Sequence, residues 1–387
     1  MTAEAGCTSA TTTPAPAITA STPETSTLRI APTLLIPGRT IWAASGYRAR
    51  APLPETAEGL TCGHTPPMTV VRAPGRVNLI GDHTDYQDGL CLPMAIDREV
   101  RIEVTPRVDG EIRVVSEHDP SAYVAAIRDR VTTGIDATVT STVPVGSGLS
   151  SSAAFSVALL LAADPTLHGR DLALAAQELE HRASGVPCGV MDQMASVFGV
   201  AGHALLLDCR DLTVEPIPIP AGVDLVVIHS GLPRRLESSA YAKRRAACEA
   251  AAAALGVATL RDATEAQVSA NPLARHVVSE NERVRASADA LRAGDNARFG
   301  DLMLAGHASL RDDFGVSTLE LDLLVTLCTD AGAYGARLTG AGFGGCVVAL
   351  VPAGTDIAGP VAAGYRARTG LDPQVFTVTA ADGAGVM

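Results

Sequence analysis

Pro144-Val-Gly-Ser-Gly-Leu-Ser-Ser-Ser-Ala-Ala154 is the stretch from which the rest of the sequence can be read. Gly146 and Gly148 let the backbone bend and come close to a ligand, because neither carries a Cβ. An apolar run to Ala163 follows, with the length and character of a buried helix. Ser150, Ser151 and Ser152 fall in the first turn of that helix, where unpaired N–H groups and the helix dipole favour an anion. The stretch is therefore a candidate phosphate cradle that needs no lysine. A plain glycine-serine loop with a serine cap has the same residues.

A lysine-free cradle matters here, because Lys243 is the only lysine among 387 residues. It lies between Ala242 and Arg244, so it closes no GxxxxGK[ST] loop, and no VAIK-type strand lysine exists. If the chain handles ATP, it must do so without those devices.

Outward from the loop, strand-like runs at 70–72, 77–80, 101–105, 111–115 and 137–140 precede it. Leu172, Ala175, Ala176, Leu179 and Ala183 then form one helical stripe. Strands are expected at 204–207 and 225–229, helices at 236–255, 273–292 and 317–331, and strands again at 336–339, 346–351 and 374–378. The mixture is an α+β fold in two domains, 68–210 and 211–387. Residues 1–67 read differently. The first thirty are rich in Ala, Thr, Ser and Pro, too poor in apolar periodicity to offset chain entropy. They predict a disordered extension, with Met68 as a candidate true start.

Composition excludes several classes. Hydrophobic residues make up 47 % of the chain, ample for a core. A formal charge of −12 without a dense basic stretch disfavours nucleic acid. No apolar run approaches the ~20 residues that span a bilayer, and the start has no signal-type apolar core. The 8 cysteines are scattered without a CxxC pair, which reads as reduced thiols in a cytoplasm.

Three further clusters carry chemistry. Arg72-Ala-Pro-Gly-Arg-Val-Asn-Leu-Ile-Gly-Asp-His-Thr-Asp-Tyr86 gathers Arg76, Asp82, His83 and Asp85 around Gly81 at the end of an apolar strand. Those groups can bond the hydroxyls of a small polar ligand, although a polar turn has the same composition. Glu180-His-Arg-Ala-Ser-Gly-Val-Pro-Cys-Gly-Val-Met-Asp-Gln-Met194 puts Glu180 at the edge of the buried stripe, where a carboxylate suits a hard cation. Asp192 opens the next helix, a position that plain charge–dipole pairing also explains. Leu338-Thr-Gly-Ala-Gly-Phe-Gly-Gly-Cys-Val-Val348 satisfies GxGxxG, but a strand follows it where a dinucleotide fingerprint requires a helix. It reads as a glycine loop behind another site.

Together these segments resemble the galactokinases of the GHMP family of small-molecule kinases. The signature lies in Gly75-Arg-Val-Asn-Leu-Ile-Gly-Asp-His-Thr-Asp-Tyr-Gln-Asp-Gly89, the ATP motif in Gly146–Ala153 and the third glycine motif in Gly340–Cys346. Ser309-Leu-Arg-Asp-Asp-Phe314 and Ser238-Ser-Ala-Tyr-Ala-Lys-Arg-Arg245 are similar to further segments of the family. The resemblance runs from about Met68 to the C-terminus.

The resemblance implies a ribosomal-S5-like N-terminal domain and a ferredoxin-like C-terminal domain with the site between them. It also implies a monomeric cytoplasmic enzyme that phosphorylates galactose at C1 with ATP and Mg²⁺. Asp192 would be the catalytic aspartate beside the C1 hydroxyl, and Arg76 would stabilise the transferring phosphoryl group. Ser152 and Glu180 would hold Mg²⁺, and Gly146–Ser152 would wrap the phosphates. Asp82, His83, Thr84, Asp85, Gly189 and Tyr241 would contact the sugar, and Ser116 the nucleotide. Whether Asp192 takes the proton or only orients the hydroxyl stays open, since an ordinary aspartate is a weak base. The family usually has glutamate at position 82 and asparagine at 87, where this chain has Asp82 and Gln87. A sibling kinase for a pentose or N-acetylhexosamine and a non-catalytic sensor are the alternatives. The complete Ser150–Ala153 stretch and Asp192 weigh against the sensor.

Overall fold

The computed structural model describes the backbone of residues 31–36 and 39–43, and then residues 68–131, 133–144, 146–232 and 237–387. In chain order the first half contains β1 (Ala31–Ile36), β2 (Arg39–Ala43), β3 (Thr69–Asn78), β4 (Leu90–Cys91), β5 (Pro93–Arg107), β6 (Ile112–Ser116), α1 (Ser121–Ile127), β7 (Gly134–Ser141), α2 (Ser151–Ala163), α3 (Gly169–Ser184), α4 (Met191–Phe198), β8 (His203–Asp208) and β9 (Thr213–Pro218). The second half contains β10 (Val223–His229), α5 (Glu237–Leu255), α6 (Glu265–Val268), α7 (Pro272–Ala293), α8 (Asn296–Asp312), α9 (Leu319–Asp330), β11 (Gly335–Thr339), β12 (Cys346–Pro352), α10 (Ala358–Thr369), β13 (Gln374–Val378) and β14 (Gly385–Val386).

A seven-stranded sheet in the order β1-β2-β6-β7-β5-β3-β14 forms the N-terminal layer. Only β6 and β7 run parallel, and α1 is the crossover between them. Along β5, Val100, Ile102 and Val104 are buried while Arg101 and Glu103 are exposed. That alternation leaves one sheet face for α2 and α4 to cover, with α3 packed behind them. Residues 153–162 of α2 are buried almost without interruption, since the helix touches β3 and β5 on one side and α3 and α4 on the other. A small sheet, β4-β8-β9, flanks this layer.

The C-terminal sheet is β11-β12-β10-β13, antiparallel throughout. Val226 and Ile228 of β10 face one core, shared with Leu324, Val361 and Tyr365. Leu225 and Val227 face another, which joins Phe299 and Met303 of α8 to Val77, Leu79 and Met94 of the N-terminal half. Covered on both faces, β10 reads as a continuous apolar run. The second core welds the halves together and fixes the gap between them.

Two expectations about domain limits meet a different geometry. The division at 210 falls inside the β8–β9 hairpin. The chain end also returns to the first sheet, where Gly385 and Val386 of β14 pair with Arg72 and Val71 of β3. Of residues 1–67, β1 and β2 are described, and β2 extends the sheet at β6 through pairs such as Ile41 with Val115. The rest of the expected disordered extension lies outside the described residues. Among the described residues no helix is long and apolar enough to cross a membrane.

Candidate active site

A cavity of about 390 Å³ opens between the two halves. Its walls combine all four sequence clusters: Arg76, Asp82, His83 and Asp85; Gly146, Gly148 and Ser150–Ser152; Glu180, Gly189 and Asp192; and Gly340 with Ala341. Tyr241 of α5 closes one side.

Arg76 reaches the cavity because β3 and β5 shift register between Pro74 and Arg76, and such a bulge re-aims the side chain beyond it. Arg76 is 4 % exposed. Its Nε donates to Asp192 Oδ1 at 2.7 Å, and its Nη1 to the Gly148 carbonyl at 2.6 Å. Asp192, in the first turn of α4, accepts a second bond at Oδ2 from the Ser150 hydroxyl, at 2.5 Å. Ser150 is thus not a capping serine. It precedes α2 in a left-handed conformation (φ +60°), and its side chain makes no cap bond. Ser151 and Ser152 are the hydroxyls in the first turn.

Ser152 donates to Glu180 Oε1 at 2.6 Å, and Gln193 Nε2 donates to Oε2 at 2.6 Å. Burial, added to by the nearby charge of Asp192, pushes the Glu180 carboxyl up to about 7. Asp85 is pushed up to about 7 in the same way, by burial and then by Asp192. Apart from Asp82, which Arg337 pairs, the cavity presents three carboxylates against Arg76. Adding a polyphosphate requires a cation. Ser152 and Glu180 are hard oxygen donors suited to Mg²⁺, which typically takes one or two carboxylates and completes its shell with phosphate and water. No group of three or more His, Cys, Asp or Glu that could hold a metal by itself occurs among the described residues.

At the other end, the Gly189 N–H faces the Tyr241 hydroxyl at 3.4 Å. A Cβ on Gly189 would lie 1.8 Å from Asp85 Oδ2, so only glycine fits. His83 packs on Phe314 with ring centroids 4.6 Å apart. Its Nε2 lies 3.1 Å from the Ala341 carbonyl, which can only accept, so Nδ1 accepts from the Tyr86 hydroxyl at 2.9 Å. Burial holds the ring neutral, lowered to about 3.

Thr84, Ser147, Leu149 and Ser116 do not line this cavity, whereas Asp82 does so from a pinned position. Thr84 is fully buried, and its hydroxyl bonds the Gly81 and Leu90 carbonyls, so it braces the turn and does not line the cavity. Ser147 turns inward to the Pro144 carbonyl at 2.6 Å, and the Leu149 side chain is in the core. Ser116 lines a smaller neighbouring cavity of about 170 Å³ that also touches Ser151 and Ser152. Asp82 is 1 % exposed, with Oδ2 on Arg337 and Oδ1 on the Gly340 N–H, both at 2.9 Å. Tyr123 of α1 escaped the sequence reading, yet it lines both cavities. Its scarcity value was the available signal, because aromatics are 3 % of the chain.

Family models match three parts of the chain: the galactokinase galactose-binding signature at 61–106, the GHMP kinases N terminal domain at 120–200 and the GHMP kinases C terminal domain at 287–360. The galactokinase of Chloroflexus aggregans is 46 % identical, over 83 % of this chain and 93 % of that protein. That of Chloroflexus aurantiacus is also 46 % identical, over 84 % and 94 %. The chain belongs to the galactokinases of the GHMP kinase family. A crystal structure of Lactococcus lactis galactokinase complexed with galactose superposes with a TM-score of 0.76 at 30 % identity, covering 84 % of this chain and 96 % of that one. A mevalonate kinase shares the fold, at TM-score 0.58 and 18 % identity. The galactokinase signature contains Arg76, Asp82, His83 and Asp85, and it begins at 61, ahead of Met68. The N-terminal family domain spans the phosphate loop, Glu180 and Asp192, and the C-terminal one spans Arg337 and Gly340.

Proposed function

We propose that this member of the galactokinases transfers the γ-phosphoryl group of ATP to the C1 hydroxyl of galactose, giving galactose 1-phosphate. The observation that carries the reading is the knot of Arg76, Asp192 and Ser150 beside the N-terminus of α2, with Ser152 and Glu180 next to it. Phosphoryl transfer needs positioning and charge stabilisation more than covalent help. The free N–H groups at the start of α2 face the phosphates, and Arg76 meets the charge on the group in flight. Ser152 and Glu180 would hold Mg²⁺, which when bound neutralises phosphate charge. Asp192 already accepts from Arg76 and Ser150, an arrangement that supports orienting the sugar hydroxyl. Asp85, Gly189 and Tyr241 form the sugar end, with His83 and Asp82 shaping its floor. Ser116 and Tyr123, in the adjoining cavity, fit the nucleoside. We read the enzyme as a cytoplasmic monomer whose catalytic body starts near Met68.

The test is ADP release with a panel of galactose, pentoses and N-acetylhexosamines, followed by NMR of the product. The expected result is turnover with galactose and phosphate on C1. Phosphate on another carbon, or no ADP release with any sugar, rejects the reading.

A further inference from the structure

Arg337 lies outside the cavity lining and is 0 % exposed. From β11 its Nη2 donates to Asp82 Oδ2 at 2.9 Å and its Nη1 to Glu280 Oε1 at 2.7 Å. Glu280 of α7, also 0 % exposed, takes Nε of Arg283 on its other oxygen at 2.6 Å. Burial alone would raise the Glu280 carboxyl, but Arg337 and Arg283 outweigh it and hold it well below the usual range. The row Asp82–Arg337–Glu280–Arg283 therefore carries two charges of each sign, the condition under which buried ions are tolerable. Gly306 of α8 gives the guanidinium its room, since a Cβ there would stand 2.5 Å from Nη1.

The row ends on a turn that the Thr84 and Tyr86 hydroxyls brace from within the N-terminal half and that the C-terminal half holds from the other side. Gly81 N–H donates to Glu280 Oε1 at 3.0 Å, and the Asp82 carbonyl accepts from His276 Nε2 at 3.1 Å. Gly81 and His83 both have positive φ, +96° and +65°. For His83 that conformation is sparsely populated and needs surrounding contacts to persist. Contacts from α7, β11 and the loop after it reach across to this turn, which itself belongs to the N-terminal half.

Building on the sugar-kinase reading, we propose that Arg337 is a positioning residue: it pins the Gly81–Asp82–His83 turn against the Gly340–Ala341 loop and so sets how tightly the sugar is held, without touching it. The ATP cradle is built on other groups, Arg76, Ser150 and Ser152. Loss of Arg337 thus acts on one substrate more than on the other.

The experiment uses Arg337→Gln and Arg337→Lys in the full chain. A lysine carries one ammonium and cannot serve Asp82 and Glu280 with the fork of a guanidinium. The expected result is a galactose KM and calorimetric Kd raised roughly tenfold or more in Arg337→Gln and less in Arg337→Lys, with the MgATP KM moved less than about twofold. Amide hydrogen exchange is measured alongside, and the Gly81 and Gly340 N–H groups should exchange faster relative to those of α2. If Arg337→Gln fails to fold, Arg337→Lys and Glu280→Gln carry the comparison. Unchanged exchange at Gly81 and Gly340, or equal losses for both substrates, overturns the proposal. The exchange readout needs no turnover, so it stands even if the native protein phosphorylates no sugar.

Discussion

Nε of Arg76 and Oδ1 of Asp192 stand 2.7 Å apart although 116 residues separate them in the chain. The same guanidinium holds the glycine loop through the Gly148 carbonyl. One side chain therefore ties Asp192 to the glycine loop ahead of α2. Asp192→Asn keeps the size and removes the charge that Arg76 meets and that, in the proposed function, orients the sugar hydroxyl. We expect kcat to fall by about 10²–10⁴ with circular dichroism and melting temperature unchanged. A variant that keeps most of the native kcat denies Asp192 this role.

Glu180→Gln tests the cation site. The amide preserves shape but weakens the donor set that Ser152 and Gln193 orient. The magnesium concentration for half-maximal rate should rise several-fold, more than the galactose KM does. An unchanged magnesium titration counts against the assignment.

Gly189→Ala tests the contact at the sugar end. The added methyl would meet Asp85 Oδ2 at 1.8 Å and Cγ at 2.2 Å, so the carboxylate must leave its place. We expect kcat/KM for galactose to drop at least about tenfold while the MgATP KM stays close to native. A change below about twofold would show that the position of Asp85 is not critical.

The raised carboxyl of Asp85 makes a pH prediction. Its folded value of about 7 lies above the ordinary 3.8. Between those values the folded protein keeps a proton that the unfolded chain has lost, so this group's contribution to stability falls as pH rises. Asparagine has no such proton. In ligand-free protein, the melting temperature of Asp85→Asn relative to native should therefore increase from pH 5 to pH 8. A difference independent of pH would contradict the shift.

Asp82 is where this chain leaves its family's usual glutamate. With one oxygen on Arg337 and the other on the Gly340 N–H, the carboxylate has no freedom to move forward into the cavity. A glutamate would extend roughly 1–1.5 Å further. Asp82→Glu is expected to increase the preference for galactose over 6-deoxygalactose by roughly tenfold in kcat/KM. If the ratio does not increase, the shorter side chain is not relaxing specificity.

By itself, the sequence determined the fold class, the phosphate loop and the segments that meet at the site. Each of these is encoded within about fifteen neighbouring residues, as glycine placement, a helical stripe or a strand run. Leu172, Ala175, Ala176 and Leu179 announce α3 in this way, and all four are buried. Helix α8 was not legible, because Gly300 and Gly306 interrupt its pattern. Their smallness answers to neighbours distant in sequence: a Cβ would meet the Tyr334 carbonyl at 2.2 Å and Arg337 Nη1 at 2.5 Å. Likewise Thr84 carried the polar look of a ligand-binding residue, and only the folded turn shows its hydroxyl spent on the Gly81 and Leu90 carbonyls. Tertiary structure alone decided that Ser150 turns from its helix to Asp192, that β14 returns to β3, and that Arg337 reaches Asp82 across 255 residues. Periodicity and turn chemistry are properties of short segments, whereas buried charges take their partners from whichever elements chain closure brings alongside.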